Sequence, residues 1–331
     1  MKHAFSPMFL AMSAAVLSLS QSAVVVAQEV PTLEEVVVTG TRALGRTAED
    51  LPVPVDVLTA QAMTDTGETE VGRMLQRLAP SFNFSSSSIS DGTDALRPAT
   101  LRGLGPDQTL VLVNGKRRHQ AALIHVNTSV GRGTAGTDMN AIPAASIKRI
   151  EVLRDGSAAQ YGSDAIAGVI NIVLDDADSG GRVDASYGET KEGDGEVTNI
   201  NLVKGFSLGD KGFLNTSFNY RDRGRTNRAG KQGACVYGGC TDPNGNGIDE
   251  TDDPREVTFN RNTFRIGDPD SEQYAFVGNG AYEIGPGEVY GFLTYSQRDN
   301  ESGAFYRNPV SGDTSYLDDG DNVIPNGFLP L

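Results

Sequence analysis

Residues 161–172 read YGSDAIAGVINI and lie within the region that most restricts the possible architectures. They overlap the longest apolar run after the first 27 residues, Ala165 to Leu174, which has ten residues and contains a glycine and an asparagine. A membrane-spanning helix needs about 20 apolar residues, so this run is too short to be one. The spacing instead predicts a short helix or turn followed by a strand. A helical membrane protein is thereby excluded, whereas a β-barrel is not, because its strands need only about 9–11 alternating residues.

The region around that stretch, from Pro52 to about Val173, has the pattern of a compact α+β domain. Thr69 to Leu78 is predicted to be a helix, because its apolar side chains fall on one face and Pro80 follows it. A short helical turn is predicted over 142–146, and the segment 82–93 is expected to be irregular. Strands are predicted over Val53–Leu58, Thr109–Val113 and Ile147–Leu153.

Beyond Asp176 the sequence alternates between apolar and polar residues, as in LNTSFNYR at 214–221. This period of two predicts strands with one apolar and one polar face. Tight turns at 209–212 and 285–287, set against a long polar insertion over about 224–272, are typical of an outer-membrane barrel. A soluble β-sandwich also alternates, so it stays open on this pattern alone. Five strands are expected, near 182–188, 197–208, 213–223, 273–284 and 288–299, and the last has apolar residues on both faces.

Three more motifs occur in the first half of the chain: LRGLG at 101–105, VLVNGKR at 111–117 and IKRIEVLRDG at 147–156. With residues 161–172 they resemble the plug domain of a TonB-dependent outer-membrane receptor. The resemblance implies an α+β plug domain over residues 51–175, followed by the N-terminal part of an antiparallel transmembrane β-barrel. Such barrels have about 22 strands in the family. Residues 176–331 suffice for about five, so the barrel is expected to be incomplete here and the chain to be a truncated product or a fragment.

The N-terminus is predicted to direct export and to hold a partner-binding segment. Residues 1–27 have a basic start, an apolar stretch and small residues before a cleavage site after Ala27, as in a secretory signal peptide. Residues 28–50 would then form a periplasmic leader, within which LEEVVVTG at 33–40 resembles the TonB box. A short extended patch of this kind can add as a strand to a partner's sheet edge, although an ordinary linker stays possible. The resemblance implies that the inner-membrane protein TonB, driven by its ExbB–ExbD motor, binds Glu34, Glu35, Val36, Val37, Val38 and Thr39.

Two groups of plug residues follow from the same resemblance. Plug arginines in this family pair with carboxylates of the barrel wall, which implies structural plug–barrel ion pairs for Arg102, Arg149 and Arg154 rather than an anion site. Substrate contacts are expected from loops at the top of the plug. The candidates are Arg118, His119, Gln120 and His125, although a lone histidine is more often a satisfied polar residue than a ligand.

The long polar insertion contains two further candidate sites. In an exported chain, Cys235 and Cys240 are expected to form a disulfide. The stretch DPNGNG from residue 242 has the spacing of a calcium loop, weakened by an aspartate at its last ligand position, and a solvated acidic loop is the alternative. Counting strands from a plug that enters from the periplasm places both sites outside the cell. The candidate calcium ligands are Asp242, Asn244, Asn246, Glu250 and Asp253, and no cofactor is required.

Charge and missing motifs exclude other classes of protein. The chain has 43 acidic and 28 basic residues and a net charge of −15, which would repel nucleic acid. GRGTAG at 131–136 fits a dinucleotide-binding pattern but follows no convincing strand, and the sequence has no hydrolase nucleophile elbow, so no enzyme is expected. The expected function is TonB-dependent import of a scarce small-molecule ligand, most often an iron–siderophore or similar chelate, across a Gram-negative outer membrane rich in lipid and lipopolysaccharide. The alternative is an exported soluble β-sandwich that serves in binding or adhesion.

Overall fold

The computed structural model of the chain describes residues 55–303 apart from 86–87, 89, 91, 127–129, 155–157 and 231–264, together with the paired strands Leu317–Asp318 and Asn322–Val323. Short helices and strands up to Leu174 form an N-terminal domain, and long strands from Gly181 onward form a C-terminal sheet. The predicted order of an α+β domain followed by antiparallel strands is therefore confirmed.

The N-terminal domain is built around a mixed five-stranded sheet. The strands of the domain are β1 (Val55–Thr59), β2 (Phe82–Phe84), β3 (Ala99–Leu101), β4 (Thr109–Val113), β5 (Lys116–Arg117), β6 (Ile147–Leu153) and β7 (Gly168–Leu174), of which all but β2 and β3 belong to this sheet. Its helices are α1 (Ala60–Thr64), α2 (Val71–Leu78), α3 (Thr93–Leu96) and α4 (Ala158–Tyr161). The sheet has the order β1–β6–β7–β4–β5, in which only β4 and β7 pair in parallel, and β2 pairs separately with β3. None of the helices in the described parts of the chain is long and apolar enough to cross a membrane.

Local sequence explains where these elements begin. Helix α1 is capped by the Thr59 hydroxyl, which accepts a hydrogen bond from the Ala62 amide at 3.2 Å. Helix α2 begins at Val71, two residues later than predicted, because Glu70 still has extended backbone and uses its carboxylate elsewhere. Strand β4 is buried along its whole length, as expected for a central strand that reads as a continuous apolar run.

The core of the domain lies between the sheet and helix α2. The segment predicted to be irregular contains strand β2, which places Phe84 over the helix. Gly72 is required there, since a Cβ atom at that position would lie 2.1 Å from the Phe84 ring. The fully buried side chains of this core include Leu75, Leu101, Met139, Ile142, Ile150 and Ile170.

The C-terminal sheet contains the five predicted strands, with bounds that differ from the predicted ones by at most three residues. They are β8 (Gly181–Gly188), β9 (Val197–Ser207), β10 (Gly212–Arg223), β11 (Asp270–Ile284) and β12 (Gly287–Glu301). Each strand pairs antiparallel with the next, in the order β12–β11–β10–β9–β8. The short connections β9–β10 and β11–β12 lie at one end of the sheet, and the connection 189–196 lies at the other, together with the described residues 224–230 after β10 and 265–269 before β11.

The C-terminal sheet buries its polar face and exposes its apolar face. On β10 and β11 the buried side chains that face the N-terminal domain include Asn215, Ser217, Asn219, Arg221 and Gln273. The opposite face exposes large apolar side chains such as Leu202, Phe206, Leu214, Phe218, Phe276 and Leu293. A soluble sandwich would have the reverse arrangement, so the sandwich alternative is not favoured.

The structure resolves the ambiguous phase of the last long strand. On β12, Phe292 packs against the core of the N-terminal domain and Tyr290 lies under the Lys116 ammonium, 5.5 Å from the ring centroid. Leu293 and Tyr295 point away from the domain and are exposed. The strand has aromatic residues on both faces, and those on its inner face contact the N-terminal domain.

Residues 175–180 connect the N-terminal domain to the C-terminal sheet, and we call them the connector. A row of residues that are neighbours across the sheet holds this connector. Asn215 pairs with Gly205 on one side and with Asn279 on the other. The Asn215 amide donates to the Ala177 carbonyl at 3.1 Å, and the Asn279 amide donates to the Asp175 carbonyl at 2.9 Å. A Cβ atom at Gly205 would lie 2.4 Å from the Ala177 carbonyl oxygen, so only glycine lets the connector lie this close.

Candidate functional site

A cavity of about 470 Å³ lies between the N-terminal domain and strand β12. The domain contributes Arg118 and His119 from the segment after β5, and Asp138 from the start of a short 3-10 turn. Strand β12 contributes Thr294 and Arg298 from its inner face. The cavity therefore joins residues that are far apart in sequence, at the end of the sheet that carries the long connections.

Two hydrogen-bonded contacts cross this cavity. The Arg118 Nη1 donates to the Thr294 hydroxyl at 2.7 Å. The Arg298 guanidinium forms an ion pair with Asp138, in which its Nη1 lies 3.4 Å from Oδ1 and its Nη2 donates to Oδ2. The Arg298 side chain is only 8% exposed, and among the described residues its Nε has no hydrogen-bond partner.

The cavity has an excess of positive charge. Burial lowers the pKa of Arg118, and the nearby Asp138 carboxylate opposes part of that effect. Two guanidinium groups, those of Arg118 and Arg298, share this one carboxylate among the lining residues. A guanidinium with free N–H groups is suited to bind a carboxylate, phenolate or phosphate oxygen. The arrangement is therefore suited to an anionic ligand.

A second charged cluster joins the N-terminal domain to the sheet at strand β10. Glu70 is buried and accepts hydrogen bonds from the Arg73 Nε at 2.9 Å and from the Arg223 Nη1 at 2.7 Å. The Arg97 Nη1 and the Arg221 Nη2 lie 3.5 and 3.7 Å from the same carboxylate. Because four arginines surround one carboxylate, a second acid is needed nearby.

Asp268 is that second acid. It lies just before strand β11 and forms ion pairs with Arg97 and with the Arg73 Nη2, the latter at 2.6 Å. Burial alone would raise the pKa of Glu70 and Asp268, but the surrounding guanidinium groups hold both pKa values below their usual range. Both carboxylates are therefore ionised, and the base of the 224–269 connection is attached to the N-terminal domain through charge.

Comparison with known proteins identifies the N-terminal domain. The family model described as TonB-dependent Receptor Plug Domain matches residues 47–169. The chain carries the plug domain of a TonB-dependent receptor. We therefore call the N-terminal domain the plug and the C-terminal sheet the barrel wall.

Curated relatives of the plug are receptors and transporters. The chain is 34% identical over 119 residues to the ferric enterobactin receptor PirA of Pseudomonas aeruginosa, which covers 36% of this chain and 16% of that protein. It is 30% identical over 193 residues to the vitamin B12 transporter BtuB of Vibrio cholerae, which covers 58% of this chain and 28% of that protein. The matched part thus spans less than a third of the length of these relatives.

Solved structures extend the likeness to the barrel wall. A mutant of the ferric enterobactin receptor PfeA from Pseudomonas aeruginosa superposes with a TM-score of 0.56 at 21% identity, over 74% of this chain and 33% of that one. The siderophore receptor PirA from Acinetobacter baumannii superposes with a TM-score of 0.52 at 23% identity, over 76% of this chain and 32% of that one. At this identity the likeness shows the fold alone.

The structure separates the four apical candidates. Arg118 and His119 line the cavity, whereas Gln120 is exposed beside it. His125 is buried in the plug, where its Nδ1 lies 2.9 Å from the Thr93 hydroxyl. Burial lowers the pKa of His125. Only the first two candidates therefore share a cavity, and ligand binding by any of the four stays a prediction.

The three plug arginines expected to pair with the barrel wall make contacts inside the plug. The Arg149 Nε donates to Glu151 at 2.8 Å, and the Arg154 Nη2 donates to Asp56 at 2.8 Å. Arg102 donates to the Arg154 carbonyl at 2.7 Å. Among the described residues, charged contacts between plug and wall are made by Glu70, Arg73, Arg97 and Asp138 with Arg221, Arg223, Asp268 and Arg298. Pairing of Arg102, Arg149 and Arg154 with the wall stays a prediction.

Sequence reasoning missed these plug–wall residues for a physical reason. Alternation on β10 places Arg221 and Arg223 on the polar face, which is visible in the sequence. Their partner Glu70 precedes an amphipathic helix more than 150 positions away, where a charged residue is ordinarily solvent-exposed. The remaining candidates lie outside the described residues: the TonB-box segment 34–39, the pair Cys235 and Cys240, and the calcium ligands Asp242, Asn244, Asn246, Glu250 and Asp253.

Proposed function

We propose that this chain is part of an importer that carries an anionic iron–siderophore or similar chelate across the Gram-negative outer membrane, energised by TonB. The observation that carries this proposal is the cavity whose described lining residues include two guanidinium groups, those of Arg118 and Arg298, and one carboxylate, that of Asp138. Ferric chelates commonly carry negative charge through their oxygen donors. An anionic chelate would therefore neutralise the excess positive charge of the cavity.

The two faces of the barrel wall support placement in a membrane. The outward face presents apolar and aromatic side chains such as Phe218 and Phe276, which suit lipid. The inward face presents amides, hydroxyls and arginines to the plug. With strand β8 running outward, the cavity and the 224–269 connection would face the exterior and meet lipopolysaccharide.

We extend the proposal to the segments outside the described residues. A signal peptide over 1–27 would export the chain, and the segment 34–39 would bind TonB, itself driven by ExbB–ExbD. A disulfide between Cys235 and Cys240 and a calcium ion at Asp242 to Asp253 would order the external connection. The plug would act by gating and would catalyse no reaction.

Uptake and binding of a defined chelate test the proposal. The receptor expressed from its full reading frame is placed in cells that lack other iron receptors, and ⁵⁵Fe–enterobactin and ⁵⁵Fe–ferrichrome are supplied separately. Anionic catecholate chelate should accumulate faster than the hydroxamate chelate, and only while the inner membrane is energised. Cyanocobalamin serves as the non-iron comparison, since a relative is named as a vitamin B12 transporter.

Control variants separate import from adhesion. Val37→Pro removes a backbone donor from the proposed TonB-binding strand and should abolish uptake without reducing surface binding. Val37→Ala is the matched change that keeps the donor and should retain uptake. Normal accumulation of the ferric chelate by the proline variant would contradict TonB-dependent import. So would accumulation of the chelate by the parent when the inner membrane is not energised.

A further inference from the structure

A second cavity, of about 390 Å³, lies between the plug and strands β8–β11. On the wall side it is lined by a belt of four side chains, those of Asn199, Asn201, Asn219 and Arg221. They are neighbours in the sheet, since Asn201 pairs with Asn219 and Asn199 pairs with Arg221. The Asn219 amide donates to the side chains of Asn199 and Asn201 at 2.9 and 2.8 Å. The belt is polar, as needed to hold water and a hydrophilic solute.

One plug segment, residues 138–145, lines both cavities. Asp138 and Ala141 line the first cavity, beside β12, which we call the apical cavity. Asn140 and Ile142–Ala145 line the second cavity, beside β8–β11, which we call the amide-lined cavity. The 3-10 turn Met139–Ala141 lies at the junction of the two groups. It is therefore the part of the plug that stands between the two spaces.

Two directly opposed wall residues hold this turn. Gln273 on β11 and Arg298 on β12 are register partners. The Gln273 Nε2 donates to the Asn140 carbonyl at 2.8 Å, and Arg298 forms its ion pair with Asp138. Gln273 is in turn fixed by Arg221, whose Nη2 donates to its Oε1 at 2.8 Å.

We propose that the turn Met139–Ala141 is a gate, and that its movement away from Gln273 and Arg298 joins the two cavities into one polar passage along the barrel wall. The inference rests on the proposed import function, for which it supplies a path and a means of control. An anionic ligand in the apical cavity would compete with Asp138 for Arg298 and so release one of the two contacts that hold the turn. Met139 is fully buried in the plug core, which keeps the gate closed at rest.

The passage can be tested without any ligand by electrical recording. The parental receptor, expressed from its full reading frame and reconstituted in planar lipid bilayers, is compared with the double variant Gln273→Ala, Arg298→Gln. Loss of both wall contacts should increase the time-averaged ion conductance at least tenfold. Assembly is checked by heat-dependent mobility of the barrel in gels. If the double variant does not assemble, Gln273→Ala alone should give a smaller increase in the same direction.

A thiol placed in the second cavity shows whether ions take this route. In the opened background, Asn201→Cys is treated with a sulfonate-bearing methanethiosulfonate, which should reduce the conductance by at least half. Leu202→Cys, the next residue on the same strand with its side chain on the outer face, is the matched control and should leave the conductance unchanged. The gate is wrong if the opened variant does not conduct, or if the two cysteine variants respond alike. Chelate uptake is measured separately, so a failed import proposal would leave this result interpretable.

Discussion

Glu70 of the plug accepts a hydrogen bond from Arg223 of barrel strand β10, with Oε1 and Nη1 2.7 Å apart. The carboxylate is buried and also contacts arginines of the plug itself. A buried carboxylate of this kind keeps its charge only while its cationic partners are present. The ion pair between Glu70 and Arg223 therefore helps to hold the plug in its position against the barrel wall.

Replacing Glu70 should weaken this hold on the plug. Glu70→Gln keeps the shape but leaves buried guanidinium groups without their main carboxylate, which costs about 3–5 kcal/mol for a buried ion pair. We expect the temperature at which trypsin begins to cleave the plug to fall by several degrees in detergent-solubilised receptor. The same variant should lose the acid sensitivity that Glu70 causes.

The sign of that acid sensitivity follows from the lowered pKa of Glu70. Its stabilising effect is complete above its ordinary pKa of about 4.5 and is lost as the pH falls toward the lowered value. Glu68→Gln is the matched control, because Glu68 pairs with Arg77, whose side chain is 62% exposed, and such pairs contribute at most about 1 kcal/mol. Equal shifts for the two variants would contradict the assigned role of Glu70.

The sequence predicted the elements better than the contacts between them. Periodicity located all five wall strands, because alternation is a local property of each strand. It did not fix the phase of β12, since Tyr290 and Phe292 face a plug that local sequence does not reveal. The sequence named part of the lining of the candidate cavity, Arg118 and His119. Arg298 and Asp138 complete that lining from positions whose proximity depends on the docking of plug to wall.

His125 should make the plug less stable in mild acid. Burial lowers its pKa, so as the pH falls below about 6.5 the unfolded chain binds more protons at this site than the folded plug does. Stability should therefore decrease as the pH falls through 6.5, by up to about 1.4 kcal/mol per pH unit. His125→Gln should flatten this dependence in denaturant titrations between pH 5 and 8.

A second variant tests whether the imidazole itself is responsible. Thr93→Val removes the hydroxyl that lies 2.9 Å from the His125 Nδ1 while leaving the ring buried. It should lower stability at every pH and keep the slope. If the slope vanishes in this variant but persists in His125→Gln, another group causes the acid response.

Gly72 should not tolerate a side chain. A Cβ atom there would meet three carbons of the Phe84 ring at 2.1 to 2.6 Å, so Gly72→Ala must displace the buried Phe84 ring, strand β2 or helix α2. Overpacking of this kind costs about 1–3 kcal/mol. The change should lower the urea concentration at the midpoint of unfolding, where unfolding is monitored by proteolysis of the plug. Gly291→Ala, at a position on β12 with open space around it, is the control and should leave the midpoint unchanged.

Arg118 should contribute directly to binding of an anionic chelate. Its Nη1 donates to the Thr294 hydroxyl, and its side chain lines the apical cavity, where burial strengthens a charged hydrogen bond. Removing one such bond costs about 1.5–3 kcal/mol, so Arg118→Gln should weaken binding of ferric enterobactin about ten- to a hundredfold in calorimetry with purified receptor. Gln120→Ala changes an exposed neighbour outside the cavity and should bind as the parent does. Unchanged affinity for Arg118→Gln, with Gln120→Ala weakened instead, would place the ligand on the open surface rather than between plug and wall.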